Sequence, residues 1–328
     1  VKTIFVTGGN GFIGSVVVRK LLERGYEVRC LLRANSNTDR IAGLTYQTAL
    51  GDVRDRDSVE QGARGCDGAI HLAGLSNWND INSPLMDEVV VTGTDNVLAA
   101  AKRAGNLRLV FVSTAAAING STSAVVFNEH SECTLDLRKY NYSRVKRIAE
   151  DACRAAAKEG LPVSIVNPTE VYGPHDTALN TAGNLVDFAT GGPVLVCRGG
   201  TSVVHVDDVA EGTILALERG TAGERYILGG DNLSIVELAQ MTTGILGTTK
   251  PVVQLPNSLV RAAGRTARAL RAPFPVNPNV IPYATMFWFM DNQKARTELG
   301  ATFRDARETL TPTLAWLCDT KRIAVSPC

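Results

Sequence analysis

The stretch TGGNGFIG at residues 7–14 limits what this chain can fold into more than any other segment. It follows KTIFV (2–6), a short apolar run rich in strand-forming residues. It precedes SVVVRKLLERG (15–25), whose apolar residues recur at helical spacing until Gly25 stops the pattern. Gly8, Gly11 and Gly14 therefore sit between a strand and a helix. Glycine there allows a tight turn and a close approach of backbone to a ligand. The helix start adds unpaired N–H groups and the positive end of a dipole. A glycine triplet alone would say little; the strand before it and the helix after it carry the reading. Gly8, Gly11 and Gly14, with Asn10, Phe12 and Ile13 between them, are the expected cofactor-binding residues of an α/β, Rossmann-type doubly wound parallel sheet.

The following residues support that class. YEVRCLL (26–32), DGAIHLA (67–73), RLVFVST (108–114) and PVSIVN (162–167) read as strands, the last ended by Pro168. SVEQGARG (58–65), LMDEVVVTGTDNVLAAAKRAG (85–105) and a segment covering about 139–159 read as helices. Alternating strands and helices predict a parallel sheet covered on both faces. Beyond about residue 170 glycines and prolines break the rhythm, including the proline-rich PFPVNPNVIP at 273–282. We expect a nucleotide-binding domain over 1–174, with VVHVDDVAEGTILALERG (203–220) returning to it as part of 203–222. A smaller C-terminal substrate lobe is expected over 175–202 and 223–320, with 321–328 as a frayed tail.

Bulk properties narrow the setting. A net charge of +1 over 328 residues gives no field suited to nucleic acid or a membrane surface. No apolar run reaches the roughly 18 residues of a membrane span, and the first residues lack a signal-peptide pattern. Seven scattered cysteines without metal-ligand spacing read as small buried hydrophobes in a reducing compartment, so the expected location is cytoplasmic. His71 and His205 lie in apolar strands and read as hydrogen-bonded core residues. No metal site is expected.

With two residues between successive glycines, TGGNGFIG resembles the TGxxGxxG loop of the short-chain dehydrogenase/reductase superfamily, in its extended branch. The resemblance continues along nearly the whole chain and implies a nicotinamide cofactor. GDV (51–53) resembles the adenine-edge contact, through Asp52 and Val53. HLAG (71–74) resembles the strand end beside the adenine ribose and nicotinamide, through Leu72, Ala73 and Gly74. NPTEVYGP (167–174) resembles the RPxxVYGP stretch near the carboxamide, through Pro168, Thr169 and Val171. In HVDDVA, Asp207 and Asp208 read as a helix N-cap rather than a catalytic pair. At the end of the second strand, CLLR (30–33) places Leu32 where an acid would bind the ribose hydroxyls of NAD, with Arg33 next. An arginine suits a 2′-phosphate, and Arg40 is placed to assist, so NADP is favoured over NAD.

The family's reacting groups are a Tyr-x-x-x-Lys pair and a hydroxyl from a neighbouring strand end. YNYSRVK (140–146) contains one tyrosine at the required offset, Tyr142, four residues before Lys146. Residues four apart share a helix face. A nearby ammonium would lower the high phenol pKa and bind the nicotinamide ribose. Tyr140 lies off that face and reads as packing or pocket wall. The hydroxyl partner is Ser113 or Thr114 in FVSTAAAIN. Resemblance to dihydroflavonol-reductase-like members favours Thr114, leaving Ser113 to bond locally.

Two departures stand out. Val90 occupies the place of a proton-relay asparagine, and Thr201 that of an arginine that binds nucleotide-sugar pyrophosphates.

The resemblance, to dihydroflavonol-reductase and 3β-hydroxysteroid-dehydrogenase-like members, implies an NADP(H)-dependent reductase of a ketone or aldehyde on a small, mostly neutral organic substrate. Pocket walls would come from Ser76, Trp78, Asn119 and Tyr172. A homodimer through the helices at 85–105 and 139–159 is implied as well. The alternatives are a nucleotide-sugar epimerase or dehydratase that recycles bound NAD, and a non-catalytic cofactor-binding scaffold. Retention of both Tyr142 and Lys146 counts against the scaffold.

Overall fold

Residues 2–270 and 277–324 are described by the computed structural model. The strands are β1 (Thr3–Thr7), β2 (Glu27–Leu32), β3 (Gln47–Leu50), β4 (Gly68–His71), β5 (Arg108–Val112), β6 (Val126–Phe127) and β7 (Val163–Pro168). They continue as β8 (Glu170–Tyr172), β9 (Val194–Cys197), β10 (Gly200–His205), β11 (Arg225–Leu228), β12 (Asp231–Ser234), β13 (Val252–Leu255) and β14 (Phe287–Met290). The helices that matter here are α1 (Phe12–Glu23), α2 (Arg56–Ala63), α3 (Gly93–Arg103), α4 (Asn141–Lys158), α5 (Gly183–Ala189), α6 (Val206–Arg219) and α7 (Ile235–Ile245).

The main sheet has seven strands in the order β11-β7-β5-β4-β1-β2-β3, and every pairing in it is parallel. Strand order reverses at β1, which pairs β2 on one side and β4 on the other. A crevice opens at such a switch point, beyond the carboxyl ends of the strands. Successive residues of β1 enter opposite cores. Ile4 and Val6 pack with Val17, Val18 and Leu21 of α1 and Ile214 of α6. Phe5 packs with Val59 of α2, Val97 and Leu98 of α3, and Val145 and Ala149 of α4. Burial on both faces is why this strand reads as a continuous apolar run. Each such fully buried side chain contributes about 1.5–3 kcal/mol.

The helix expected over 85–105 carries a π-helical segment at Asp87–Thr92 before α3 begins. Such segments insert an extra residue per turn. Val90 lies within it, buried, and its carbonyl accepts from Thr94 Oγ1 at 2.6 Å.

Three sequence expectations change. Of the segment 203–222, α6 does pack on α1 and the main sheet, but the strand does not join that sheet. Residues 203–205 belong to β10, within a second sheet ordered β12-β10-β14-β6, where β8 also pairs β10. The main sheet is completed instead by β11, which lies inside the segment assigned to the lobe and pairs β7 with Tyr226, Ile227 and Leu228 fully buried. Second, the α6 cap is His205, whose Nδ1 accepts from the Asp207 N–H at 3.1 Å; neither aspartate caps it. Asp208 accepts from the Arg304 N–H instead, at 2.9 Å. Third, residues 321–324 are not frayed. Ile323 is buried and Arg322 stacks on Trp316. The rest of the tail, 325–328, and residues 273–276 of the proline-rich stretch lie outside the described residues.

The lobe has its own core, in which Tyr172, Leu185, Phe188, Leu238, Leu310 and Leu314 meet. It stands beside the carboxyl edge of β5 and β7, because β8 leaves the end of β7 after a single residue and enters the second sheet.

Candidate active site

Glycine is required in the loop for two separate reasons. Gly8 has φ +73, and a Cβ there would lie 2.7 Å from the Ala73 nitrogen. Gly14 has an ordinary helical backbone, but its Cβ would lie 2.1 Å from the Gly8 carbonyl oxygen. The first helical turn therefore rests directly on the loop. Gly11 N–H donates to Gly8 O at 3.0 Å, and Gly11 caps α1 with no side chain to bond the following N–H groups. Those donors are available to an anion. Asn10 ties the loop to the segment after β2 through the Asn37 carbonyl, at 2.9 Å. Phe12 and Ile13 pack on the α1–α6 core with their backbone at the loop.

Across the crevice, Leu72 N–H donates to Thr7 O and Ala73 N–H to Thr7 Oγ1, at 3.0 and 3.2 Å. Thr7 Oγ1 also meets His71 Nδ1 at 2.6 Å, and His71 Nε2 meets Thr94 Oγ1 at 3.2 Å. Burial, aided by the Lys146 charge, pulls the His71 pKa down to about 3, so the ring is neutral. It is a core histidine that braces Leu72–Gly74. No cluster of potential metal ligands occurs among the described residues.

At the end of β2, Leu32 is buried and Arg33 is exposed. The Arg33 backbone is pinned by Ser36, while its guanidinium makes no hydrogen bond among the described residues. Arg40 is not free to assist it: Nε donates to the His175 carbonyl at 3.0 Å, and the same guanidinium bonds Thr177. Asp52 is held by the Arg54 guanidinium at 2.9 Å, which lowers its pKa; Arg33 adds to that effect. Val53 is buried, its carbonyl accepting from Asn96. Pro168 closes β7 opposite Leu228, Thr169 N–H donates to Leu228 O at 3.1 Å, and Val171 is buried in β8.

Helix α4 brings Tyr142 and Lys146 to one face beside the end of β5. Tyr142 is half-buried. Burial raises its pKa, and the neighbouring Thr114 side chain counteracts that. Thr114 also caps the short helical turn Ala115–Ala117. Ser113 Oγ is buried without a hydrogen-bond partner among the described residues, contrary to the expectation of a local bond. Lys146 is 4% exposed, donates to the Val112 carbonyl at 2.9 Å and lies 5.0 Å from the Phe111 ring centroid. Burial pulls its pKa down to about 8, against the opposing pull of Glu150. A Cβ on Gly74 would come within 3.4 Å of Lys146 Nζ, so the glycine leaves room beside the ammonium. The structure therefore brings Thr114, Tyr142, Lys146 and Gly74 together.

The expected pocket residues fare differently. Tyr172 is fully buried, with its hydroxyl between Glu170 (2.9 Å) and Asn184 (2.7 Å), so it belongs to the lobe core and not to a pocket wall. Asn119 is buried with its amide spent on Glu132, Thr134 and Gly120. Ser76 and Trp78 are partly exposed and both bonded to Asn180. The wall beside Tyr142 joins the expected Tyr140 and Trp78 to two residues without a sequence signal, Tyr283 and Trp288. Tyr140 meets Tyr283 edge-on at 5.2 Å and Trp288 at 6.2 Å, and Trp78 meets Tyr283 at 5.4 Å. Trp288 also covers Gly120, whose Cβ would lie 2.6 Å from its ring.

A parallel sheet ordered this way, a glycine loop at its switch point and a tyrosine–lysine pair on one helix define an extended short-chain dehydrogenase/reductase. The family model described as "NAD dependent epimerase/dehydratase family" matches residues 4–229, and the chain belongs to that family. It is similar to the sterol demethylase protein B of Methylococcus capsulatus, 30% identical over 96% of this chain and 98% of that protein. It is 31% identical to the 4-hydroxy-2-methyl-3-oxo-4-farnesyl-3,4-dihydroquinoline-1-oxide ketoreductase of Stigmatella aurantiaca, over 90% of each chain. Among solved structures it resembles a nucleoside-diphosphate-sugar epimerase from Pseudomonas aeruginosa, with a TM-score of 0.81, 25% identity and coverage of 98% and 99% of the two chains. The protein is an NAD(P)-dependent oxidoreductase of the extended short-chain type. No helix among the described residues is long and apolar enough to cross a membrane.

Proposed function

We propose that this protein reduces a ketone or aldehyde on a largely neutral organic substrate, using NADPH and a Thr114–Tyr142–Lys146 site. The observation that carries the reading is the shared face of α4 that holds Tyr142 and Lys146 beside the end of β5, where Lys146 donates to the Val112 carbonyl. Burial raises the Tyr142 pKa, so the phenol holds its proton at neutral pH, as a general acid must. Thr114, beside that phenol, orients the carbonyl oxygen toward the same proton. Lys146, protonated below about pH 8, stabilises the phenolate left behind and supplies donors for ribose hydroxyls. The cofactor supplies the hydride. The residues present fit it. Gly8, Gly11 and Gly14 leave the backbone cradle open, Gly74 leaves space beside Lys146, and the Arg33 guanidinium, at the end of β2 where a 2′-phosphate would sit, makes no hydrogen bond among the described residues. Likeness to a ketoreductase supports the reaction class.

The second reading, a nucleotide-sugar epimerase or dehydratase with retained NAD, is favoured by the likeness to the Pseudomonas aeruginosa epimerase. Against it, Thr201, at the place of the pyrophosphate arginine, is buried and uncharged. Tyr142→Phe tests both readings. It should abolish NADPH oxidation across a panel of carbonyl compounds and leave NADPH affinity within about twofold. Retained turnover would overturn the assignment of Tyr142. Purified protein carrying tightly bound NAD, with no net NADPH consumption, would transfer support to the epimerase.

A further inference from the structure

We propose that Glu150 and Asn167 are positioning residues that join Thr114 and Lys146 into one site. The inference rests on the catalytic reading above and deepens it. Glu150 lies on α4 four residues after Lys146, on the same face, and its side chain is 0% exposed. Asn167, next to the end of β7, is also 0% exposed. Its Nδ2 donates to Glu150 Oε1 at 2.6 Å and to the Thr114 carbonyl at 2.9 Å. Both partners are pure acceptors, so chemistry requires the amide nitrogen to face them. Among the described residues Asn167 Oδ1 has no hydrogen-bond partner, which stability alone would disfavour. One amide thus clamps the backbone of the residue that reaches Tyr142 and fixes the carboxylate behind Lys146.

The charged groups around this pair come from several elements. Lys146 faces Glu150 and Cys153 on its own helix and His71 from β4, with Tyr142 one turn before it. Asp95 on α3 acts on Cys153, whose thiol burial pushes well up, so it carries no charge near neutrality. His71 is neutral. Glu150 Oε2 lies 3.8 Å from Arg154 and 3.5 Å from Arg225 of β11, and Arg147 stands near Arg225. Glu150 is therefore the anion that favours the charged form of Lys146, whose own burial works against it. Arg225 pairs with that buried carboxylate, and its other amine bonds the Glu129 carbonyl, which ties β11 to the loop before α4.

The test follows NADPH affinity by fluorescence titration from pH 6 to 10. In the wild type, affinity falls as Lys146 loses its proton, and Lys146→Met removes that break. Glu150→Gln should move the break to lower pH by about one unit, with affinity at pH 6.5 within about twofold of wild type. Asn167→Leu, which releases the carboxylate, should move the break the same way, and it provides the test if Glu150→Gln does not fold. A purely structural role would lower the melting temperature and leave the break in place; that result in both variants overturns the proposal. A wild type without the break would instead overturn the cofactor-binding role of Lys146, so the two failures are distinguishable.

Discussion

Gly14→Ala is expected to unseat the cofactor loop. The added Cβ would lie 2.1 Å from the Gly8 oxygen, 2.9 Å from the Gly8 carbonyl carbon and 3.0 Å from the Gly9 Cα. All three are backbone atoms, so no side chain can swing away. Ordinary carbon–oxygen contact begins near ~3.3 Å, so α1 and the loop must part by about 1.2 Å. Overpacking of this kind costs ~1–3 kcal/mol, while alanine in a helix regains ~1 kcal/mol over glycine. A net loss of about 2 kcal/mol in urea unfolding is expected, since the displaced atoms are backbone. A displacement near 1 Å costs on the order of a hundredfold where groups must align, and NADPH affinity should fall by about that factor. Gly25→Ala is the control. Gly25 ends α1 at φ +78 with nothing within 4 Å of its would-be Cβ. It should lose ~1–2 kcal/mol from left-handed strain and keep its NADPH affinity. Wild-type NADPH affinity in Gly14→Ala, or a lost affinity in Gly25→Ala, would refute the close-approach reasoning.

Lys146→Met should be more stable than wild type at pH 7 and catalytically dead, a trade of stability for function. The sign follows from linkage. The folded pKa, about 8, lies below the unfolded value near ~10.4, so the buried charge costs stability in full below pH 8. The cost is relieved as pH rises from 8 towards ~10.4, where the unfolded chain binds the extra proton. The gain at pH 7 should be at most about 3 kcal/mol, less the bond to Val112, and should shrink to nothing near pH 10; urea unfolding across that range would show it. Arg33→Ala should weaken NADPH binding about 10- to 100-fold and leave NADH binding unchanged, the loss expected for charge-assisted hydrogen bonds to one phosphate. Equal affinity of variant and wild type for NADPH would remove Arg33 from the cofactor site.

Much of the site was legible because its signals are local. Three glycines at fixed spacing identify a strand–turn–helix, and the structure shows that two of them answer different needs, a positive φ at Gly8 and a close approach at Gly14. The offset of four between Tyr142 and Lys146 places both on one helix face, whatever the rest of the chain does. Glu150 was legible by the same rule, one further turn along, had its burial been foreseen.

The sequence by itself determined the doubly wound class, the glycine turn between β1 and α1, and the shared helix face of Tyr142 and Lys146, since each rests on spacing within one or two elements. Tertiary structure alone decided which polar groups remained free for chemistry. Arg40 and Asn119 looked available and are held by residues of other loops. Tyr172 looked like a pocket wall and is sealed between Glu170 and Asn184. It also decided that β11 completes the main sheet while β10 leaves it, and that Asn167 joins Thr114 to Glu150. The physical reason is common to all of these. Periodicity states which way a side chain points, but a hydrogen bond or a strand pairing depends on partners brought in by distant parts of the chain.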